Sequence, residues 1–333
     1  MRPTRTAPPT TTDVAEQRPE RPPRRPTAPD GFLVVDKPAG LTSHDVVGRC
    51  RRLAGTRKVG HAGTLDPMAT GVLVVGVGRA TRLLTYVVGA DKAYDATIRL
   101  GVGTSTDDAE GEILATPGVG ADLDRAVLDR EVGALTGDIR QVPTTISAIK
   151  VDGKRAYARA RAGEEVELAA RPVTVSRFDV HAVRQGTTGE GTPVMDLDVS
   201  VVVSSGTYVR ALARDLGAAL GTAGHLTSLR RTRVGGYDLS DARTLDEMEA
   251  QADADGVLAT LSPAQAARAT FAVRDLTDAE TTGLGYGQCV APSGRAGTVA
   301  GIGPDGSLVA LLEDTTRRGE RLARPVLVLA PAG

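Results

Sequence analysis

The stretch KVGHAGTLDPMATGVLVVGVG, residues 58–78, decides how the rest of the chain is interpreted. Its single acid, Asp66, stands directly before a proline and has glycines on both sides. Proline biases the preceding residue toward extended backbone, and glycine permits tight turns and the close approach of a ligand. The apolar run at residues 72–77 predicts a buried strand. Asp66 is therefore expected either to be an ordinary turn residue or to present a reactive carboxylate at the edge of a sheet.

Length and composition limit the class of protein. A chain of 333 residues, 41% hydrophobic and 24% charged, is long enough for two domains with sizeable cores. It has only two cysteines, Cys50 and Cys289, and no apolar run approaches the length of a membrane span. These features argue against a disulfide scaffold and a membrane protein, and they favour a cytoplasmic location. The first 29 residues hold eight of the 19 prolines and six arginines, so residues 1–30 are expected to form a disordered tail.

The net charge of −1 conceals a segregation along the chain. Residues 31–236 carry a net charge of +3, whereas residues 237–288 carry −7. A dense basic cluster at residues 49–58 contains Arg49, Arg51, Arg52, Arg57 and Lys58 without any acid. Such a cluster is either a phosphate-binding strip or the solvated face of a helix, and charge alone does not separate the two.

Lysine is rare in this chain. Of the 40 basic residues 35 are arginine, and the five lysines are Lys37, Lys58, Lys92, Lys150 and Lys154. A compact ammonium on a flexible stem differs from the planar guanidinium of arginine. The five positions are therefore either places where arginine does not substitute for lysine or a chance cluster.

Hydrophobic periodicity predicts strands mixed with helices. Residues 32–35 are typical of a strand, and Ser43 is expected to cap the helix that follows. The alternation at residues 94–100 predicts a half-buried strand with Tyr94 on its inward side, and residues 194–203 alternate in the same way. These elements show no regular βαβ period, which indicates an α+β fold.

The second half of the chain adds helices and a terminal unit. Residues 122–135 and 209–220 have helical spacing, and the acidic residues 238–255 are expected to form a helix on the outer surface. From about residue 271 onward, short apolar runs separated by glycine-rich turns predict a small β-rich domain.

Several common sites are missing from the sequence. GVGRAT, residues 76–81, lacks the third glycine of the dinucleotide fingerprint, and no Walker-type phosphate loop occurs. Four histidines and two distant cysteines provide no closely spaced zinc ligands, and no GxSxG nucleophile turn is found. These sites, zinc included, can be set aside, and Asp66 is left as the candidate reactive group.

GHAGTLDPMATGVL, residues 60–73, resembles the signature of the TruB family, the bacterial tRNA pseudouridine synthases that act on uridine 55 of the T loop. Other stretches resemble further blocks of the family in the expected order, over about residues 31–235 and including all five lysines. These stretches are GFLVVDKPAGLTSHDVV, DKAYDATIRLG, TSTDDAEG, QVPTTISAIKVDGKRAYARAR, RPVTV, SSGTYVRALARDLG and HLTSLRRTRVG. In this family the single Asp of the signature is the catalytic residue.

The resemblance implies a reaction and a set of site residues. The N1–C1′ bond of a uridine breaks, the base turns, and it is rejoined through C5, without cofactor, metal or energy donor. Asp66 would attack the base, attack C1′ or take a sugar proton. The implied catalytic residues are Asp66, Tyr94 and Arg210, and the implied substrate-binding residues are His61, Tyr208, Leu229, Lys37 and Arg230.

The implied roles differ among these residues. Arg210 would pair with Asp66 and keep it ionised, since an adjacent cation lowers the pKa of a carboxyl group. Tyr94 would stack on the target base and assist removal of the C5 proton. His61 would occupy space near the flipped base, and Tyr208 and Leu229 would complete the pocket. Without the resemblance, Tyr94 and Tyr208 would be interpreted as core aromatics, His61 as a turn residue and Arg210 as an exposed helix arginine.

The resemblance also implies a domain organisation and a partner. Residues 31–270 would form the catalytic domain, with a mixed, largely antiparallel sheet flanked by helices and an RNA-gripping insertion at residues 142–171. Residues 275–333 would form the small β-rich domain, which relatives carry as a PUA-like barrel. The expected partner is the T arm of tRNA, and the enzyme is expected to be a monomer without an obligate protein partner. Two alternatives are a tRNA-folding chaperone with secondary catalysis and a ribosomal RNA synthase of the same fold.

Overall fold

The computed structural model describes residues 25–120, 122–144, 150–151, 154–155 and 168–329. Most of the tail expected at residues 1–30 and most of the insertion expected at residues 142–171 lie outside the described residues. The same is true of the last four residues of the expected terminal domain.

The strands and helices alternate irregularly along the chain. The strands are β1 Gly31–Lys37, β2 Val59–His61, β3 Thr70–Val77, β4 Lys92–Leu100, β5 Gly103–Thr104, β6 Ile113–Ala115, β7 Gly137–Gln141, β8 Lys150–Val151, β9 Lys154–Arg155, β10 Arg171–Thr187, β11 Pro193–Val203, β12 Gly224–Val234, β13 Tyr237–Asp238, β14 Ala272–Asp275, β15 Thr298–Ile302, β16 Leu308–Arg317 and β17 Glu320–Val328. The α-helices are α1 Ser43–Leu53, α2 Leu84–Val88, α3 Arg125–Ala134, α4 Val209–Ala219, α5 Leu245–Asp255, α6 Pro263–Thr270 and α7 Asp278–Gly285, and a 3-10 helix spans Gly78–Leu83.

One large sheet organises the chain from β1 to β13. Among the described residues its main path is β1-β3-β12-β4-β11-β10-β7, with β2 added to β3 and β13 added to β12. Every neighbouring pair in it is antiparallel except β3 and β12, which run parallel and pair through Thr70 with Arg230 and Gly71 with Arg231. The mixed, largely antiparallel α+β fold expected from the sequence is confirmed.

The sheet separates two hydrophobic cores. Alternate residues of β1 point to opposite sides, so that Leu33 and Val35 join one core while Phe32 and Val34 join the other. The first core is closed by apolar faces of α1, α3, α4 and α5. The second is closed by α2, α6 and residues of the C-terminal sheet. Because β1 and β3 are covered on both sides, they are nearly continuous apolar runs.

The helix after β1 differs in one detail from the expectation that Ser43 would be its cap. Thr42 is the N-cap, and its side chain and that of Asp45 bond to each other's backbone N–H groups in a capping box. Ser43 is the first helical residue and is buried. Its hydroxyl is therefore free for a tertiary contact, described below.

The acidic segment near residue 245 also differs from the expectation. The helix is shorter than residues 238–255, because β13 and a turn occupy the part before α5. Its acids do not simply face solvent: the Arg49 guanidinium of α1 lies 2.9 Å from Asp246 and 3.4 Å from Glu249. Arg51 donates to the Val59 carbonyl at 3.1 Å. Part of the basic cluster therefore holds secondary structure together instead of forming a phosphate-binding strip.

The C-terminal unit is β-rich, as expected from the sequence, and contains one unexpected helix, α7. Its sheet has the order β14-β15-β16-β17. Arg79 and Arg82, which follow β3, donate to the carbonyls of Leu329 and Val328 at 3.2 and 2.7 Å. These bonds fix the last strand against the large sheet. Within the described part of the chain, no helix is long and apolar enough to cross a membrane.

The parallel junction of β3 and β12 leaves no room for a side chain at Gly71. Its φ is +98°, and a Cβ there would lie 2.2 Å from the Arg231 carbonyl oxygen. We expect Gly71→Ala to lower the free energy of unfolding by about 2 kcal/mol or more. The positive φ would strain the alanine backbone, and the clash with the Arg231 carbonyl would destabilise the folded state further. Urea unfolding measures this. Gly48→Ala in α1, where nothing lies within 4 Å of the new methyl group, is the control and should be neutral or stabilising. Equal effects of the two substitutions would contradict this account of the junction.

Candidate active site

Asp66 lies on the loop between β2 and β3, and the chain is fastened on both sides of it. On one side the Ser43 hydroxyl accepts from the Leu65 N–H at 2.9 Å and donates to the Leu65 carbonyl at 3.1 Å. On the other side the Lys37 ammonium donates to the Pro67 carbonyl at 3.1 Å. Asp66 itself keeps 36% of its side chain exposed. The backbone is thus fixed while the carboxylate remains accessible.

A pocket of about 250 Å³ opens beside this carboxylate. Its walls come from four parts of the fold: the Asp66 loop, the start of β4 with the end of α2, the loop before α4, and β12. The lining residues are Gly63, Thr64, Leu65, Asp66, Val88, Lys92, Tyr94, Ser205, Gly206, Thr207, Tyr208, Val209, Arg210, Leu229 and Arg231. Five of the eight residues predicted from the sequence therefore meet in one place, although they lie far apart in the chain.

Arg210 bridges two carboxylates. Its Nε lies 3.1 Å from Oδ2 of Asp66, and its Nη2 donates to Oδ1 of the same residue at 3.3 Å. Its Nη1 lies 3.2 Å from Oδ2 of Asp108 and donates to the Thr106 carbonyl at 2.9 Å. The side chains of Arg210 and Asp108 are only 7% and 2% exposed. Because its nitrogen atoms have several partners, the Arg210 guanidinium is held in a fixed orientation relative to Asp66.

The ionisation of Asp66 is set by opposing effects. Burial raises the pKa of its carboxyl group, the Arg210 guanidinium lowers it, and the Asp108 carboxylate raises it. The net result is a pKa above the ordinary value of 3.8. The expectation that Arg210 opposes protonation is right in sign, but burial has the larger effect on the pKa.

The floor of the pocket is made by β4 and β12. Tyr94 is buried on the inward face of β4, and its hydroxyl forms no hydrogen bond with a residue that the structure describes. Leu229 and Arg231 are two residues apart on β12, so they face the same side of the sheet. Arg231 is almost wholly buried and donates to the carbonyls of Val72 and Gly63 at 2.7 and 3.1 Å. It thereby ties the Asp66 loop to β3.

Tyr208 forms the wall opposite the Asp66 loop, at the N-cap of α4. Its backbone is held by the side-chain amide of the buried residue Gln141 at the end of β7. The Tyr208 N–H donates to Oε1 at 2.8 Å, and Nε2 donates to the Tyr208 carbonyl at 3.1 Å. Both amide atoms are used, so the position of Tyr208 relative to β7 is well defined.

Three predicted substrate-binding residues do not line the pocket. Lys37 is 0% exposed and its ammonium bonds to backbone carbonyls, so the structure corrects its role to support of the Asp66 loop. Arg230 faces away from the pocket and its guanidinium donates to both carboxylate oxygens of Asp36 at 3.0 and 2.7 Å. His61 is half-buried on β2 with its ring 5.8 Å from that of His44. Burial lowers the pKa of His61.

The sequence missed four residues that hold the site together: Ser43, Asp108, Gln141 and Arg231. Arg231 could have been found by alternation, because the residue that shares a strand face with Leu229 is Arg231 and not Arg230. Asp108 stands in the TSTDDAEG block, but its pairing with a residue 102 positions later is a tertiary contact. Nothing in the local sequence of Ser43 or Gln141 indicates a tertiary role. Among the described residues no group of three or more His, Cys, Asp or Glu side chains could hold a metal ion.

Comparison with known proteins identifies the family. The N-terminal domain model of the TruB family of pseudouridylate synthases matches residues 51–209. The tRNA pseudouridylate synthase B C-terminal domain matches residues 210–267, and the tRNA pseudouridine synthase II C-terminal domain matches residues 271–330. The tRNA pseudouridine synthase B of Arthrobacter sp. (strain FB24) is 57% identical over 311 residues, covering 91% of this chain and 97% of that protein. This chain belongs to the TruB family.

Further relatives agree with membership of the TruB family. The tRNA pseudouridine synthase B of Thermobifida fusca (strain YX) is 54% identical over 90% of this chain and 99% of its own length. A chain in a solved Cbf5-Nop10-Gar1 complex has a TM-score of 0.65 at 24% identity, covering 96% of this chain and 91% of that one. This structural likeness shows the shared fold. As a TruB-family protein, the chain is a pseudouridine synthase, an isomerase.

Asp108 offers a test of the electrostatics around Asp66. We expect Asp66 to titrate above 3.8, and Asp108→Asn to lower its pKa because a carboxylate that disfavours the ionised form is removed. Carboxyl-detected NMR titration measures both values. Asp129→Asn on the exposed face of α3 is the control and should leave Asp66 unchanged. A pKa of Asp66 that does not fall in the Asp108 variant would contradict the arrangement described.

Proposed function

We propose that this chain converts uridine 55 in the T loop of tRNA to pseudouridine, with Asp66 as the essential carboxylate. One observation supports this most strongly: the partly exposed carboxylate of Asp66, held by Arg210, lies in a pocket that Tyr94, Tyr208 and Leu229 also line. These are five of the residues that the family resemblance implies. The relatives at 53–57% identity are tRNA pseudouridine synthases, which supports tRNA as the substrate.

The size of the pocket favours a single nucleotide unit. Pockets for drug-sized ligands have volumes of about 300–1,000 Å³. At about 250 Å³ the cavity is smaller, and it is open at the mouth beside Asp66. A uridine turned out of the T loop can enter such a cavity, at a cost of about a few kcal/mol that stacking and edge contacts offset.

The lining chemistry matches the two ends of a nucleoside. Tyr94 and Leu229 form the part of the floor on which a base would stack, while Asp66 and Arg210 would provide charge at the level of the sugar. The Tyr94 hydroxyl, which has no partner among the described residues, is available to assist loss of the C5 proton. Each of the three roles open to Asp66, attack on the base, attack on C1′ or removal of a sugar proton, requires the ionised carboxylate.

The rest of the chain would serve RNA binding. We assign residues 31–270 to the catalytic domain, residues 142–171 to an insertion that grips the T arm, and residues 275–333 to a PUA-like domain. His61, just before the Asp66 loop, would fill space beside the everted base. We further propose a cytoplasmic enzyme that works as a monomer.

Asp66→Asn separates an enzyme from a chaperone. The variant should lose pseudouridine formation by about 10³-fold or more, because the amide is neither a nucleophile nor a base. The measurement is tritium release from tRNA labelled at C5 of uridine, with thermal melting as the check that the variant folds. Asp129→Asn should keep wild-type activity. A variant that still corrects tRNA folding while inactive would show a chaperone function beside the chemistry, and an Asp66→Asn protein with full activity would refute the assignment.

The position of the modified uridine can be tested in cells. Deletion of the gene should remove pseudouridine from position 55 of tRNA T loops and leave ribosomal RNA unchanged. Mapping of pseudouridine in both RNA classes, with and without the gene, measures this. Loss confined to ribosomal RNA would instead support the alternative of a ribosomal RNA synthase.

A further inference from the structure

Lys92 occupies an unusual position at the floor of the pocket. It is the first residue of β4 and lies on the same strand face as Tyr94. It is only 7% exposed, and its ammonium donates to the carbonyls of Val88 at 3.1 Å and Ala90 at 2.7 Å. An ammonium has three N–H donors, so one remains for an acceptor in the pocket.

The positive charge of Lys92 has no acidic partner in the described part of the chain. Neither Lys92 nor its neighbour Arg231 forms an ion pair with a described residue, whereas Arg210 is matched by Asp66 and Asp108. Two buried cations therefore line one pocket with backbone carbonyls, and no carboxylate, as their direct partners. Burying charge in this way is costly unless something else stabilises it. A pocket with this potential is suited to a group that becomes negative.

The isomerisation generates such a group. When the N1–C1′ bond breaks, its electron pair stays on the uracil, and the negative charge spreads over O2 and O4. When C5 bonds to C1′ with a pair from the base, C5 carries both the sugar and its proton. Loss of that proton and gain of one at N1 complete the isomerisation, so that atoms and electrons balance without any added reagent.

We propose that the Lys92 ammonium, supported by Arg231, stabilises the negative charge that develops on uracil as the base separates from the sugar. The inference rests on the proposed function and adds a residue to it. Asp66 acts at the sugar side or on the base, while Lys92 acts on the charge of the departing base. Charges aimed at a transition state in a poorly solvated site contribute strongly to the rate, because they need no reorganisation.

The rarity of lysine in this chain supports the assignment. Arginine takes 35 of the 40 basic positions, yet Lys92 and Lys37 are both lysine and both buried. Lys37 bonds to the backbone carbonyls of Pro38 and Pro67 and does not line the pocket. Lys92 lines the pocket, and a compact point charge leaves more room for a base than a guanidinium.

The charge of Lys92 also has a consequence for pH dependence. Burial and, to a smaller extent, Arg231 lower the pKa of Lys92 to about 8, and Asp91 opposes this. Lys92 is charged below that pH and neutral above it, so activity should fall as the pH rises through about 8. The ionisable and charged groups that line the pocket with it are Asp66, Tyr94, Tyr208, Arg210 and Arg231, and Asp91 precedes it in the chain. Asp91 is itself paired with Arg233 at 2.7 Å.

Two substitutions separate charge from hydrogen bonding. Lys92→Arg keeps the charge, and Lys92→Gln keeps a donor without charge. Single-turnover rates on tRNA at saturating enzyme, from neutral to alkaline pH, measure the chemical step, and tRNA affinity and thermal melting are measured beside them. Arg268→Gln on the exposed side of α6 is the control for loss of a positive charge.

We expect Lys92→Gln to lower the single-turnover rate by about 10- to 100-fold at neutral pH with little change in tRNA affinity. It should also lose the decline near pH 8 that the wild type shows. Lys92→Arg should be slower than the wild type, because the guanidinium leaves less room for the base, but faster than Lys92→Gln. It should also stay active at higher pH, since arginine does not deprotonate in this range. Arg268→Gln should behave as the wild type.

Three results would overturn the proposal: a Gln variant as fast as the wild type, a Gln variant faster than the Arg variant when both fold, or an alkaline decline that wild type and Gln variant share. If the Arg variant does not fold, the proposal is tested by comparing the rate and the pH profile of the Gln variant with those of the wild type. A wild-type protein that forms no pseudouridine in tRNA would instead refute the proposed function, so the two failures are distinguishable.

Discussion

The fixing of the backbone on both sides of Asp66 is the constraint on which the site depends. Ser43 holds Leu65 through both of its backbone polar groups, and Lys37 holds Pro67. Each such bond contributes about 1 kcal/mol to stability, but its larger effect is on position. A displacement of about 1 Å at a reacting group lowers rates by about 100-fold. Two side chains thus hold the geometry of one partly exposed carboxylate.

The charges around this carboxylate are balanced against its burial. A buried carboxyl group alone would favour protonation, which would remove the ionised form that the proposed chemistry requires. Arg210 opposes this, but a buried arginine with a single partner that can be protonated would risk an uncompensated charge of its own. Asp108, the more deeply buried of the two acids, provides the second partner. Arg210 therefore stays anchored while Asp66 is free to react.

The sequence was sufficient for the general fold, because the fold depends on local pattern, and the resemblance to the TruB signature supplied Asp66 as the candidate reactive group. Alternation identified the faces of β4 and β11, whereas the Asp-Pro turn among glycines left an ordinary turn role open for Asp66. It was not sufficient for residues whose role depends on burial. Lys37 was expected to bind substrate, since a lysine in a functional block looks available until the structure shows it to be completely enclosed. Ser43 likewise looked like a helix cap, because its hydroxyl can accept from a helical N–H. Thr42 has the same hydroxyl one residue earlier and is the actual N-cap.

Strand register explains why Arg231, and not Arg230, belongs to the pocket. A shift of one residue in a strand exchanges its two faces, so the identity of the floor residues depends on how β12 is aligned with β4. Two register irregularities, between Leu226 and Ser228 and between Arg231 and Arg233, lie on either side of the segment that faces the pocket. Bulges re-aim side chains and are common beside active sites. Between them Arg231 points inward to the Asp66 loop while Arg230 points outward to a carboxylate of β1, so one short segment both builds the pocket and joins the two halves of the sheet.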